Sequence, residues 1–368
     1  MQFNAKRGLV AVGALALLLT GAACGNDDGG STGGGNGASV DKGFKVGLLL
    51  PETKTTRYET FDKPLIEAKI KELCPKCEVV YQNADQNHDK QLSQAESLIT
   101  QGVKVMILDP VDAKAAGGIV TKAKDANIPV ISYDRLTQGP ISYYVSYVNK
   151  QVGITQGQAL LDALSKDGDP KRGQIVMING SPTDPNAADF KAGAHSVLDG
   201  KVNIGAEYDT PDWSNDKAQQ EMEQAITKLG KDKIIGVYAA NDGTAGGAIA
   251  AMKSAGFAKI PFVTGQDAEL AAIQRILTGD QGMTVYKAIK PEANAAAEMA
   301  IAAATGQTYS AASTTTNNGS VDVPSVLLPP VAVTKDNIKD TVVADGFYKV
   351  DQICTAEYAE ACKAAGLL

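Results

Sequence analysis

From Phe44 onward, short runs of β-branched and apolar residues alternate with stretches of helical spacing, and few folds accept that rhythm. The runs Phe44–Leu50, Glu78–Gln82, Val103–Leu108 and Pro129–Tyr133 are continuously apolar or close to it, as strands covered on both faces must be. Between them, residues 61–73, 89–101 and 113–126 carry Leu, Ile and Ala at helical intervals. This β-α-β-α order predicts a parallel sheet with helices on both faces. The order then restarts. Gln174–Asn179, Val202–Tyr208, Ile234–Tyr238 and Pro261–Thr264 alternate with helical segments near 151–165, 187–198, 215–229 and 244–256. Two such runs predict two similar α/β lobes. A strand at Met283–Tyr286, an Ala-rich helix at 292–304 and strands around 326–333 are left over, and periodicity assigns them to neither lobe.

The first forty residues follow other rules. Lys6 and Arg7 precede an apolar run, Leu9–Leu19, of signal-peptide length and too short for a comfortable membrane span. Gly21, Ala22 and Ala23 lead into Cys24, a pattern that resembles a bacterial lipobox, with Gly21 where that motif prefers Leu. Residues 1–23 are expected to be removed and Cys24 to carry lipid; the alternative is ordinary cleavage that leaves an incidental cysteine. A diacyl anchor has two chains, enough for stable attachment. Gly25–Ala38 is almost wholly Gly, Asn, Asp, Ser and Thr, which cannot bury apolar surface, so residues 24–42 are read as a flexible tether. The formal net charge of −7 and the absence of a basic stripe argue against nucleic acid as a partner.

Four further cysteines, Cys74, Cys77, Cys354 and Cys362, form an even set, which outside the cytoplasm points to disulfides. Local pairs, Cys74–Cys77 and Cys354–Cys362, are the simplest of three connectivities. A redox role for Cys74-Pro75-Lys76-Cys77 is disfavoured, because the motif follows a helical stretch instead of opening one after a strand. A zinc site is disfavoured because His88 and His195, read as surface residues, are the only histidines. No Gly-x-Gly-x-x-Gly follows the first strand, and no Walker or Gly-x-Ser-x-Gly pattern occurs. Asn241–Gly247 is glycine-rich after a strand but lacks the Lys-Ser/Thr of a phosphate loop. No cofactor is expected, and the chain is read as a binder, not an enzyme.

Open parallel sheets bind ligands beyond the carboxyl ends of their strands. Those ends deliver Lys54, Arg57 and Tyr58; Asp134 and Arg135; Ser181, Asp184 and Asn186; Asp212 and Trp213; Asn241 and Asp242; Gln266 and Asp267; and Lys287. Carboxylates, amides and guanidiniums bridge neighbouring hydroxyls, and flat aromatics cover C–H faces, so the set suits a polyol. The competing reading is helix capping, above all for Asp184 and for Asn241 or Asp242. Trp213, flanked by Asp212 and Ser214, is not expected in the packed core.

An ordered series of segments resembles the periplasmic D-xylose-binding proteins of the type I solute-binding family: Tyr133-Asp134-Arg135, Gly180-Ser181-Pro182, Asn241–Gly247, Thr264–Ala268, Met283–Lys287, Asn317-Asn318-Gly319, Val323-Pro324-Ser325, Asp340-Thr341-Val342 and Asp345-Gly346-Phe347. The related multiple-monosaccharide-binding proteins share the Tyr-Asp-Arg-Leu and Gly-Gln-Asp-Ala segments. The resemblance covers about residues 43–350. It implies two Rossmann-like, doubly wound lobes joined by a three-crossing hinge, with the crossings near 149, 283 and 322. The first lobe would then hold 43–149 plus 284–322, the second 150–283 plus 323–350, and 351–368 would form a disulfide-bearing tail. It further implies that Arg57, Asp134, Arg135, Asp184, Asn186, Asn241, Asp267 and Lys287 contact a sugar, that Tyr58 and Trp213 stack on it, and that Asn149 adds a contact. The implied partners are a monosaccharide and the membrane subunits and ATPase of an ABC importer. The protein would act as a monomer on the outer face of the cytoplasmic membrane. Tyr58 stands where xylose binders carry Trp, Val148 replaces an Asp, and Pro185 interrupts an Asp-Asn-Asn run. The expected ligand is therefore D-xylose or a related pentose or hexose. A sugar-sensing receptor is a compatible role and a carbohydrate-active enzyme the rival one. A repressor is excluded, because a leader and a leash occupy the place of its DNA-binding helices.

Overall fold

The computed structural model describes residues 38–368. The apolar run Leu9–Leu19, Cys24 and the tract as far as Gly37 lie outside the described residues. Strand β1 (Lys45–Leu50) and helix α1 (Lys63–Leu73) open the first lobe, followed by β2 (Glu78–Asn83), α2 (His88–Thr100), β3 (Val105–Leu108), α3 (Gly117–Asp125), β4 (Val130–Tyr133) and β5 (Tyr143–Tyr147). The chain then enters the second lobe with α4 (Asn149–Lys166), β6 (Gln174–Asn179), α5 (Pro185–Leu198), β7 (Ile204–Asp209), α6 (Asn215–Leu229), β8 (Ile234–Ala239), α7 (Asp242–Ser254), β9 (Phe262–Val263), α8 (Leu270–Thr278) and β10 (Thr284–Tyr286). Helix α9 (Ile289–Thr305), β11 (Thr314–Asn317), β12 (Asp322–Leu328), β13 (Val331–Val333), α10 (Val350–Ile353) and α11 (Ala359–Ala364) complete it.

The first sheet has the order β11-β12-β5-β4-β3-β1-β2, parallel except for β11. Successive side chains of its strands point to opposite faces, so an apolar run feeds two cores at once. Val46, Leu48 and Leu50 pack with Ile66 and Ile70 of α1 and the alanines of α9. Leu49, Met106 and Leu108 pack on the other face with Leu98 of α2 and Ile119 and Val120 of α3. The second sheet, β7-β6-β8-β9, is wholly parallel and built the same way. Ile175 and Met177 meet α4 and α5, while Val176 and Ile178 meet α6 and α7.

The hinge differs from expectation at two of its three crossings. The first passes Val148, between β5 and α4. β10 pairs antiparallel with β13, and Val285 bridges Gln266, so the chain stays with the second lobe as far as Tyr286 and returns near Lys287 instead of near 283. β12 pairs parallel with β5, which keeps residues 322–328 in the first sheet and moves the third crossing from 322 to Pro329-Pro330. Proline has no N–H to give a ladder, and this pair splits the apolar stretch around 326–333 into two strands in different lobes.

Helix α3 begins later than expected, because Asp112 Oδ1 accepts from the amides of Lys114 and Ala115 and turns the chain ahead of it. Disulfides join Cys74 to Cys77 after α1 and Cys354 to Cys362 across the tail helices. No helix among the described residues is long and apolar enough to cross a membrane.

Candidate functional site: the interlobe cleft

The carboxyl ends of β1, β4, β6, β7, β8, β9 and β10 converge on one cavity between the lobes. Arg57, Tyr58, Asp134 and Arg135 line it from the first lobe. Asp184, Asn186, Trp213, Asn241 and Asp267 line it from the second, and Lys287 does so from the crossing. Each of these residues is no more than 9% exposed. Asn149 alone of the expected set does not line the cavity. In the first turn of α4 its amide donates to Asn186 Oδ1 at 2.8 Å and to Ser146 Oγ at 3.2 Å, so it orients Asn186. Thr55 and Phe190 line the cavity and were not anticipated, and Gln266, one of the strand-end residues, lines it as well. Phe190 had a usable signal: it lies four residues after Asn186 and so shares its helix face.

The capping and lining readings prove compatible. Asp184 caps α5 through the Asn186 amide, while its other oxygen accepts from the Trp213 indole N–H at 3.0 Å. Asn241 caps α7 in a reciprocal box with Thr244 and still faces the cavity. Asp267 caps nothing. Helix α8 starts at Leu270 with Glu269 at its N-cap, where no side-chain bond is made. Trp213 corrects its expectation, for it is buried with Phe190 and Met177 in the second lobe's core. It meets the Phe190 ring edge-on at 6.4 Å. Gly180 explains how the indole fits: a Cβ there would stand 2.0 Å from it.

Asp134, Asp212, Trp213 and Asp267 all adopt left-handed backbone, with φ of 55°, 61°, 52° and 97°. Such conformations cost about 1–3 kcal/mol each and cluster where side chains must be aimed. Arg57 is fixed by Asp62 (Nε–Oδ2 3.0 Å, Nη2–Oδ1 2.6 Å), by Glu292 at 2.9 Å and by Asp134 at 3.3 Å. Lys287 Nζ lies 3.1 Å from the same Asp134 oxygen. Burial alone would raise the Asp134 carboxyl, but Lys287, Arg57 and Arg135 outweigh it and hold it well below the usual carboxylate range. Burial pushes Asp267 and Asp184 upward, opposed by Lys287 and Arg57 at the first and by Arg135 at the second.

The lobes meet directly across the cleft. Arg135 Nε stands 2.8 Å from Asp184 Oδ2, and Asn186 Nδ2 donates to the Asp134 carbonyl at 3.2 Å. Gln86 donates to the Asp212 carbonyl at 3.2 Å, and the Ala113 amide donates to the Thr183 carbonyl at 3.3 Å. Among the described residues no group of three or more His, Cys, Asp or Glu is arranged to hold a metal ion. His195 is not a bare surface residue: its ring nitrogens meet Asp199 at 2.8 Å and Glu207 at 3.1 Å, far from the cavity lining.

Two doubly wound lobes, crossed three times, with a polar cavity between them, define a two-lobed binding protein. Residues 46–308 match the model of the periplasmic binding protein domain, and the chain belongs to that family. It is 39% identical over 324 residues to the D-xylose-binding periplasmic protein of Escherichia coli (strain K12), covering 86% of this chain and 95% of that one. It is 33% identical over 335 residues to the multiple sugar-binding periplasmic receptor ChvE of Rhizobium radiobacter, covering 86% and 93%. A solved ABC transporter solute-binding protein from Clostridium phytofermentans with bound β-D-glucose superposes with a TM-score of 0.78 at 29% identity, covering 84% of this chain and 99% of that one.

Proposed function

We propose that this chain is a lipid-anchored monosaccharide-binding protein that captures one sugar, D-xylose or a related pentose or hexose, by closing its lobes and delivers it to an ABC importer. One observation carries the reading: a buried cavity between the lobes in which charged and amide groups from both sides converge with the aromatic rings of Tyr58, Phe190 and Trp213. Carboxylates in that setting accept from hydroxyls and cations donate to them at short range, and the aromatic rings cover C–H faces. A ligand that touches both lobes favours the closed arrangement by its differential affinity for it. The relatives named for D-xylose and for several sugars support the ligand class. The site is complete within one chain, in keeping with action as a monomer, and Cys24 would tether the body to the outer face of the membrane.

Titration calorimetry against a panel of pentoses and hexoses tests the proposal. Saturable one-to-one binding of at least one member is expected, and no binding across the panel refutes it. A sensory role as a sugar receptor is a second reading, favoured by the relative named as a receptor. It uses the same cleft.

A further inference from the structure

The cleft buries more negative than positive charge. Three cations, Arg57, Arg135 and Lys287, are each 3–4% exposed. Their nearest carboxylates are Asp62 for Arg57, Asp184 for Arg135 and Asp134 for Lys287. Asp109, Asp267 and Glu292 are buried beyond that matching. Glu292 still accepts from Arg57, and Asp267 from the Gln266 amide. Asp109 is different. It follows β3, is 0% exposed, and no protein group donates to either of its carboxylate oxygens. A buried carboxylate in that state is costly as an anion.

Its nearest cation lies closer to a carboxylate of the other lobe. Arg135 Nε is 3.6 Å from Asp109 Oδ1 but 2.8 Å from Asp184 of the opposite lobe. The other guanidinium nitrogens donate to the Pro110 carbonyl and to the Tyr58 hydroxyl, both at 3.1 Å. Asp109 cannot follow, because its carbonyl accepts from Gln91 Nε2 at 2.8 Å and its amide donates to Leu49. When the lobes part, Asp184 leaves with the second lobe, and Asp109 is the carboxylate that stays beside Arg135. We infer that Asp109 positions Arg135 in the open cleft and takes up a proton as the cleft closes, so that sugar binding is linked to proton uptake.

The groups facing Asp109 agree on the direction. Burial pushes its carboxyl well above the usual carboxylate range; Arg135 and Arg57 pull against the rise, while Asp134 and Asp184 add to it. Tyr58 faces it as a neutral phenol, its own ionisation driven far up by burial. The closed form binds a proton that the open form lacks, so affinity strengthens as pH falls below the raised closed-form value. It levels off near the ordinary carboxylate value of about 4, with a slope of at most about tenfold per pH unit.

The inference rests on the reading of the cleft as a closing sugar site, and the experiment separates the two. The full chain is titrated with D-xylose and with D-glucose from about pH 8 to about pH 5, in pairs of buffers with different protonation heats. Net proton uptake on binding is expected in the wild type. Asp109→Asn carries the neutral form permanently, so its uptake should vanish and its affinity at the highest pH should equal or exceed that of the wild type. Asp109→Ser, also neutral, repeats the uptake test should the Asn variant fold poorly. Wild-type binding without uptake at any pH overturns the proposal, as does uptake that persists in both variants. Weaker binding of Asp109→Asn with an unchanged pH slope also overturns it, leaving Asp109 an ionised brace for Arg135. Absence of binding to either sugar by the wild type, with no saturable heat from the wider panel, would instead refute the sugar reading and remove this proposal with it.

Discussion

Asp267→Asn separates the proposed ligand-binding role of this residue from every structural one. The side chain lines the cavity from a backbone position with φ of 97°. Asn shares with Asp an enrichment among non-glycine residues at positive φ, so the exchange keeps the fold of the loop. Helix α8 takes no cap from it, and its partners include the neighbouring Gln266 amide, the Asn241 side chain and the charges of Lys287 and Arg57. Burial opposes its ionised form while Lys287 and Arg57 favour it, so removing the charge has offsetting effects and the unliganded protein should melt close to wild type. A carboxylate accepting from a sugar hydroxyl contributes about 1.5–3 kcal/mol. Its loss predicts an affinity decrease of about 10- to 150-fold. Calorimetry with the preferred sugar, paired with thermal melting of the unliganded protein, measures both. Affinity within about twofold of wild type would refute the assignment, as would a fall in melting temperature large enough to account for the weaker binding.

Gly180→Ala places a Cβ 2.0 Å from the Trp213 ring; since this is the chain's one tryptophan, its emission should shift and sugar affinity fall by about tenfold or more, and an unshifted spectrum with normal affinity would contradict the packing argument. At His195, burial works against protonation, but hydrogen bonds to Asp199 and Glu207 win and raise its pKa. A raised histidine stabilises the fold fully below its unfolded value of about 6.5 and loses that contribution as pH rises through the folded value. His195→Gln should therefore melt lower than wild type at acidic pH, by under about 1 kcal/mol for so exposed a group, and match it at alkaline pH; a deficit confined to alkaline pH would reverse the sign and refute the account. Cys24→Ser should move the protein from the membrane fraction to the soluble one, and persistence at the membrane would reject lipidation of Cys24.

Strands buried on both faces announced themselves as apolar runs, which is why β1, β3, β4, β6 and β8 were legible. β5 was not. Tyr143–Tyr147 holds three tyrosines and a serine in a strand inside the sheet, and its polar atoms find partners outside the strand, such as the Ala288 carbonyl, which accepts from Tyr147. β11, all Thr and Asn, has no apolar signal. The cavity lining was legible because strand ends point at it. The groups that hold the lining in place were not. Glu292 reaches Arg57 across 235 residues from a helix whose alanines suggest only packing, and local spacing carries no trace of such a partnership. Asp109 was within reach, since it directly follows β3 and obeys the same strand-end rule as the lining residues.

The two later hinge crossings also dictate an order of assembly. Nearly all of the second lobe is one continuous stretch, from α4 to β10, with only β13 and the tail arriving late. The first lobe is assembled from far ends of the chain. Its central sheet needs β12 beside β5, Ser325 against Tyr144, and its β1 face stays open until the alanines of α9 cover it. Closing so long a loop costs entropy before any contact offsets it. A nascent or newly exported chain should therefore assemble the body of the second lobe first, leaving the first lobe's apolar β1 face only partly covered, by α1, until α9 and β12 have been added. The interval between those two events is when this protein is most open to aggregation and to chaperone capture.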